Sequence, residues 1–106
     1  MIEKLNSAHG IDNHVRFEIG DGGLPKAILT NQHAAAEVYL HGAHVTHFQL
    51  RGAAPILWMS RDAVYHPSKA LRGGIPVIWP WFGPHPSNAA LPQHGFARTS
   101  LWSVVG

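Results

Sequence analysis

The sequence contains no cysteine among its 106 residues, which excludes disulfide bonds and thiolate metal ligands. Charged residues are also scarce, at 13% of the chain, against about 25% in typical soluble domains. Hydrophobic residues make up 45%, which excludes a disordered chain. The net charge of +2 comes without a stripe of lysine and arginine, so no nucleic-acid partner is expected.

Long apolar runs are absent as well. None approaches the roughly 20 apolar residues that a membrane-spanning helix needs. The first ten residues, MIEKLNSAHG, lack the basic and apolar regions of a signal peptide. We therefore expect a cytoplasmic protein that does not bind membranes. A chain of 106 residues has the length for one domain with a modest core.

Carboxylates are missing from the second part of the chain. All six acidic residues precede Ala63, and none follows it. The part without carboxylates contains Lys69, Arg72 and Arg98, so these cations have no acidic partner within their own segment. Arginines in this situation suit anionic ligands, because the guanidinium presents a planar set of donors to phosphate or carboxylate. Solvation at the surface, or pairing with acids from the first part of the chain, is the alternative.

Alternation of apolar and polar residues dominates the chain and predicts strands. Three alanines in NQHAAAEVYL would also suit a helix, but Val38, Tyr39 and Gly42 favour extended backbone. Trp58 and Trp102 lie within strand patterns and are expected in the core. The sequence thus predicts an all-β fold, an antiparallel β-sandwich or part of one, with almost no helix. The predicted strand segments are HVRFEIG (14–20), LPKAILT (24–30), AEVYLHG (36–42), HVTHFQL (44–50), PILWMS (55–60) and GFARTSLWSVVG (95–106).

The run LRGGIPVIWPWFGPHP, residues 71–86, contains four prolines, three glycines and two tryptophans, and its only charged residue is Arg72. Proline breaks a helix interior and cannot donate to a sheet, so this run is expected to be irregular backbone held by its aromatic side chains. Such a segment would suit the floor of a binding site. Trp79 and Trp81, on either side of a proline, are candidates for a wall against which a sugar stacks.

Nine histidines raise the question of a metal site. His41, His44 and His47 form an H-x-x-H-x-x-H series, which would align three imidazoles along one side of a helix. On a strand, steps of three residues send successive side chains to opposite faces, and Gly42 disfavours a helix. The pattern therefore favours histidines that are buried and hydrogen-bonded, or exposed to solvent, over a metal site. We expect no metal and no cofactor.

The motifs YLHGAHVTHF, ILWMS, LRGGIPVIWPWFG and LPQHGFAR followed by TSLW occur in this order along the chain. From Phe17 to Trp102 the sequence resembles the hexose-6-phosphate mutarotases, also called glucose-6-phosphate 1-epimerases, of the aldose 1-epimerase, galactose-mutarotase-like superfamily. The resemblance implies a large antiparallel β-sandwich that interconverts the α and β anomers of a hexose 6-phosphate. It implies neither a cofactor nor a metal ion.

The same resemblance assigns substrate-binding residues. The arginine of the family's RGG motif falls on Arg72, and its Gln-His-Gly-Phe-Ala-Arg string falls on residues 93–98. This implies that Arg72, Gln93 and Arg98 contact the substrate and that His94 lies beside the sugar. Arginine suits phosphate oxygens, and an amide can both donate to and accept from sugar hydroxyls. We predict that the two arginines converge on one phosphate group, most simply that of glucose 6-phosphate.

The resemblance also implies what the chain lacks. Members of the family are much longer, and their catalytic glutamate and histidine come from later segments. We therefore expect residues 1–106 to be the N-terminal portion of one mutarotase-like domain, with no catalytic residue assigned and little activity alone. Uncovered sheet edges and apolar surface would promote self-association. A non-catalytic phosphosugar-binding module and a purely structural β-domain are the alternatives.

Overall fold

A computed structural model describes residues 1–105, and its main feature is a four-stranded antiparallel sheet in which each strand pairs with the next. All four strands lie where the alternation predicts them, and the alanine-rich segment is a strand rather than a helix. The predicted antiparallel β structure is therefore confirmed. The strands are β1 (Val15–Ile19), β2 (Pro25–Thr30), β3 (Ala34–Tyr39) and β4 (His44–Leu50).

One face of the sheet is apolar and carries the main core. Phe17 pairs with Ala27, and Ala27 pairs with Val38, so apolar side chains from neighbouring strands lie side by side. Phe17 and Ala27 are buried together with Leu40. Burial of a large apolar side chain stabilises a fold by about 1.5–3 kcal/mol, so this cluster fixes the register of the strands.

The opposite face of the sheet carries the ion pairs. Lys26 Nζ lies 2.5 Å from Glu37 Oε1 and 3.9 Å from a Glu18 carboxylate oxygen. Burial lowers the pKa of Lys26, but the hydrogen bond and charge of Glu37 outweigh it and raise the pKa overall. These two carboxylates are thus paired with a lysine of the sheet.

A helix that the alternation pattern does not predict precedes the sheet. α1 (Ile2–His9) packs on β1, with Ile2 and Leu5 against the apolar cluster. These two residues are three apart in a polar segment, which is helical spacing. The Asn6 side chain donates to the Phe17 carbonyl (2.9 Å) and accepts from the Phe17 N–H (2.7 Å). The free edge of β1 is therefore capped at Phe17, and the expectation of uncovered sheet edges is wrong at this position.

Replacing Asn6 with alanine should destabilise the fold. The substitution leaves both Phe17 backbone groups without their partner, which should cost about 1–3 kcal/mol of unfolding free energy. Urea denaturation followed by circular dichroism measures this difference. Glu3→Ala, in the same helix, is the matched control and should change stability far less. Equal stability of the Asn6 variant and the wild type would show that the cap contributes nothing.

The later predicted strands are not regular strands. Residues 55–60 contribute a single bridge, between Met59 and Gly73, and the segment 95–106 includes a short 3-10 helix, Ala97–Thr99. Trp58 is 70% exposed and Trp102 is 41% exposed, so the prediction that both lie in the core is wrong. Periodicity predicts that a strand has two faces, but it does not reveal whether another layer covers them.

Residues 73–86 form neither helix nor strand, as their prolines predict. Backbone hydrogen bonds hold this segment instead. The Ile75 N–H donates to the Val45 carbonyl (2.9 Å), and the Trp79 carbonyl accepts from the Phe96 N–H (2.9 Å). Among residues 1–105, no helix is long and apolar enough to cross a membrane.

Candidate functional site

Arg72 is presented on the surface by a neighbouring residue that is buried. Leu71 is 3% exposed and packs with Leu24 and Tyr39 in a second apolar cluster. The Arg72 side chain is exposed, while its carbonyl accepts a hydrogen bond from the Ser60 N–H (2.9 Å). The burial of Leu71 and the hydrogen bond from Ser60 therefore hold the backbone at Arg72 in place, and the guanidinium remains available to a ligand.

The two glycines after Arg72 allow this backbone to pass close to its neighbours. Gly73 has φ 114° and Gly74 has φ 59°, both in the region that favours glycine. A Cβ at Gly73 would lie 2.4 Å from the Trp58 carbonyl oxygen, and one at Gly74 would lie 2.2 Å from the Val45 carbonyl oxygen. Side chains at either position would displace the segment that carries Arg72.

Two buried histidines contact the loop that carries Arg72, residues 69–73, which we call the Arg72 loop. His41 Nε2 lies 2.5 Å from the Lys69 carbonyl oxygen, and His44 Nε2 lies 2.6 Å from the Gly73 carbonyl oxygen. His41 and His44 are 2% and 0% exposed. They are thus buried, hydrogen-bonded histidines, as their strand context favours.

The other predicted site residues lie together in the loop of residues 91–98. The Arg98 Nη2 group donates to the backbone carbonyl of Gln93 (2.9 Å), which closes the loop on itself. The Gln93 side chain is exposed. Arg98 Nε is buried and has no hydrogen-bond partner in the described chain. The Nη2 group of Arg98 therefore stabilises the loop, and its buried Nε–H donor has no acceptor in the described chain.

His94 is held in one orientation by Gly83. The Gly83 N–H donates to His94 Nδ1 (2.8 Å), and the His94 N–H donates to the Gly83 carbonyl (2.8 Å). A neutral ring that accepts at Nδ1 carries its proton on Nε2. His94 can therefore offer an N–H donor to a ligand, and its ring packs against Phe82 with centroids 4.8 Å apart.

The aromatic residues of the proline-rich run divide into two groups. Trp81 packs edge-on against His85 and Phe96, and its indole N–H donates to the Pro92 carbonyl (3.0 Å). Trp81 thus supports the loop of residues 91–98. Phe82 is 79% exposed beside His94, although the sequence motifs do not mark it as a site residue. Trp79 is 67% exposed, and its role in sugar stacking stays a prediction.

The turn between β3 and β4, residues 40–43, contacts both arginine-bearing segments. Its histidine His41 bonds to the Arg72 loop. Its Gly42 N–H donates to the Ser100 carbonyl (2.7 Å), and its Leu40 carbonyl accepts from the Trp102 N–H (2.8 Å). Arg72 and Arg98 therefore belong to segments that meet at the same turn. Convergence of their guanidinium groups on one ligand stays a prediction.

The charges around these segments favour an anion. In residues 1–105 the ion pairs involve Arg16, Lys26, Glu18 and Glu37, all on the sheet. Within that part of the chain neither Arg72 nor Arg98 has a carboxylate within ion-pair distance. The region thus carries positive charge that no acidic side chain of the described residues neutralises.

One apolar concavity lies on the sheet, away from these segments. It has a volume of about 370 Å³ and is lined by residues near the β2–β3 turn and the adjoining strand ends, including Leu29, Ala36 and Phe48. None of the four predicted site residues lines it. Since this concavity is apolar and contains none of the predicted site residues, we base the candidate site on the arginine-bearing segments.

Comparison with known proteins bears on the family of the chain. A family model described as "Aldose 1-epimerase" matches residues 25–106. A "Putative glucose-6-phosphate 1-epimerase" of Cenchrus ciliaris is 42% identical over 83 residues, and one of Salmonella typhimurium is 38% identical over 81 residues. These alignments cover 77% and 76% of this chain.

Two solved structures have the same fold over most of the chain. The crystal structure of a "putative mutarotase (YeaD)" from Salmonella typhimurium superposes with a TM-score of 0.82 at 32% identity, and that of HI1317 superposes with 0.77 at 27%. Each match covers 91% of this chain. The chain spans about a quarter of the length of the curated relatives (24% and 27%) and about a third of these structures (32% and 34%).

Proposed function

Because this chain belongs to the aldose 1-epimerase family, we propose that it is the N-terminal portion of a hexose-6-phosphate mutarotase domain. In this proposal Arg72, Gln93, His94 and Arg98 bind the sugar phosphate, and the complete domain is an antiparallel β-sandwich. The four residues supply donors for phosphate and sugar hydroxyls. A phosphorylated sugar is charged and does not cross membranes freely, so the proposal includes a cytoplasmic location.

The observation that carries the proposal is the state of Arg98. Its guanidinium is fixed by Gln93, its Nε is buried without a partner, and no carboxylate of the described chain neutralises it. A buried donor left unsatisfied is costly, so such a group is typical of a site completed by a ligand. A phosphate oxygen is a suitable acceptor for this donor.

The chemistry of mutarotation defines what the residues must do. A base removes the proton from the anomeric hydroxyl, an acid protonates the ring oxygen, and the bond between that oxygen and the anomeric carbon breaks. The open-chain aldehyde rotates and the ring closes on the other face, with both proton transfers reversed. In this proposal His94 donates its Nε2–H to a sugar oxygen, and we assign no general base among residues 1–105.

The lack of an assigned base favours a second candidate function, the binding of a phosphosugar without turnover. The acidic partners of Lys26 lie on the polar face of the sheet, and they pair there rather than with Arg72 or Arg98. A chain that keeps the phosphate-binding residues without a base would be a phosphosugar-binding module. Binding is common to both functions, and turnover separates them.

Titration of the chain with glucose 6-phosphate, glucose and inorganic phosphate tests the proposal. We expect glucose 6-phosphate to bind more tightly than glucose, because the arginines recognise the phosphate group. Binding of phosphate alone at the same residues should be weaker, since Gln93 and His94 then have no sugar to contact. Equal affinities for glucose and glucose 6-phosphate would contradict recognition of the phosphate group, and binding of none of the three ligands would favour a purely structural β-domain.

We also propose that the chain self-associates through its exposed apolar side chains. Ile19, Leu50 and Phe82 are 57%, 47% and 79% exposed, although α1 caps part of the β1 edge. Exposed apolar surface of this kind promotes association, so dimers or larger species should form at about tens of micromolar. Sedimentation velocity measures the assembly. A single compact monomer at that concentration would contradict the proposal.

A further inference from the structure

We propose that His41 and His44 are positioning residues that hold the Arg72 loop in the conformation that binds the phosphate group. The proposal rests on the proposed function, since it takes Arg72 as a phosphate ligand. The two imidazoles come from consecutive positions of the H-x-x-H series, and they contact the two ends of a loop that contains the arginine. Neither histidine itself touches the substrate in this proposal.

The contacts are specific in direction. A carbonyl oxygen can only accept, so His41 Nε2–H donates to Lys69 and His44 Nε2–H donates to Gly73. The two carbonyls lie on either side of Arg72 in the sequence. The loop also bonds to the segment of residues 58–60 through the Arg72 carbonyl and the Gly74 N–H, and the two histidines add a donor at each of its ends.

Burial keeps the His44 imidazole in the form that this contact requires. His44 is fully buried, and burial lowers its pKa more than the hydrogen bond to Gly73 raises it. The charges of His41 and Arg98 lower the pKa further. Nδ1 of His44 has no partner in the described chain, which suits a neutral ring with its proton on Nε2.

His44 also packs against the backbone that follows Arg72. Its ring donates to the Gly73 carbonyl of the Arg72 loop. Its ring atoms Cδ2 and Nε2 would lie 3.2 Å from a Cβ at Gly74, so the ring is in direct contact with this backbone. Displacement of the ring would therefore shift the segment that carries Arg72.

Paired substitutions test the role of the donor. His44→Leu removes the Nε2–H donor, whereas His44→Gln places an amide N–H near the same position. His41→Leu and His41→Gln form a second pair in case a His44 variant does not fold. His47→Leu is the matched control, because His47 belongs to the same series and has no side-chain hydrogen bond among residues 1–105.

Amide hydrogen exchange reads out the loop without any ligand. The Ser60 N–H bonds to the Arg72 carbonyl, and the Gly74 N–H bonds to the Trp58 carbonyl. The Thr30 N–H, bonded to the His14 carbonyl, is a reference on the far side of the sheet. In His44→Leu, exchange at Ser60 and Gly74 should accelerate about fivefold relative to Thr30, and His44→Gln should restore most of the protection.

Affinities for glucose 6-phosphate and glucose provide the functional readout. The ratio of the two affinities should fall about fivefold in His44→Leu, recover in His44→Gln and stay unchanged in His47→Leu. Equal acceleration of all three amides, unchanged exchange, or failure of both glutamine variants to restore protection would overturn the proposal. A wild type with no preference for glucose 6-phosphate, together with the expected exchange pattern in the His44 variants, would contradict the proposed function. That result would still support the stabilisation of the Arg72 loop by the two histidines.

Discussion

Replacing Arg98 with alanine is expected to abolish most of the preference of this chain for glucose 6-phosphate over glucose. Hydrogen bonds to charged groups are worth about 1.5–3 kcal/mol, so the affinity for glucose 6-phosphate should fall by roughly tenfold to hundredfold. The affinity for glucose should change much less, because glucose has no phosphate group. Isothermal titration with both sugars measures the two effects on one variant.

Two further variants separate charge from geometry. Arg98→Lys keeps the positive charge but loses the planar set of donors and the bond to the Gln93 carbonyl, so it should restore only part of the preference. Arg51→Ala removes an exposed arginine from the loop that follows β4 and should leave both affinities unchanged. Equal losses of affinity for glucose and glucose 6-phosphate in Arg98→Ala would indicate damage to the loop rather than loss of a phosphate contact.

The sheet could be predicted from the sequence because its residues alternate. β1 to β3 have apolar side chains at every second position, and turn-forming residues separate the strands. In β4 the alternation changes phase between Val45 and Phe48, where the pairing with β3 is irregular. α1 was missed since Ile2 and Leu5 provide only one helical step, and their contact with the core around Phe17 is tertiary. Trp58 was placed in the core wrongly because a strand pattern does not show whether another layer covers it.

The site could be predicted only in part. The motifs identified Arg72, Gln93, His94 and Arg98, and the family to which they point is confirmed by the match to residues 25–106. Sequence alone could not show that Arg98 bonds to the Gln93 backbone, since that contact depends on how the loop closes. These four assignments as substrate contacts remain predictions.

The roles of His41 and His44 were also beyond sequence reasoning. The H-x-x-H spacing suggests a metal site, whereas strand geometry favours histidines that are buried and hydrogen-bonded or exposed to solvent. Their carbonyl partners lie 28 and 29 residues away in the sequence, so no local pattern reveals them. The one available signal is the glycine pair, because the backbone at Gly74 lies close to Val45 and His44 of β4.

The isolated chain is expected to accelerate anomerisation of glucose 6-phosphate little or not at all beyond buffer. General acid–base catalysis supplies roughly 10²–10⁴ in rate, and it needs a base within hydrogen-bond reach of the anomeric hydroxyl. Glu18 and Glu37 are engaged on the sheet with Lys26, and residues 63–105 contain no carboxylate. None of the other four acidic residues, Glu3, Asp12, Asp21 and Asp62, lies in a motif that matches the family. A chain extended to the length of its relatives should gain most of that factor.

Exchange NMR between the α and β anomers measures the rate directly, with buffer alone as the reference. His94 is the one residue of the site whose side chain is of a type that acts as a general base. It accepts from the Gly83 N–H through Nδ1, so only Nε2 is free to act, and a neutral ring carries its proton there. His94 is thus set to donate rather than to accept. Rapid turnover by the isolated chain that His94→Ala abolishes would contradict this assignment and make His94 itself the catalytic base.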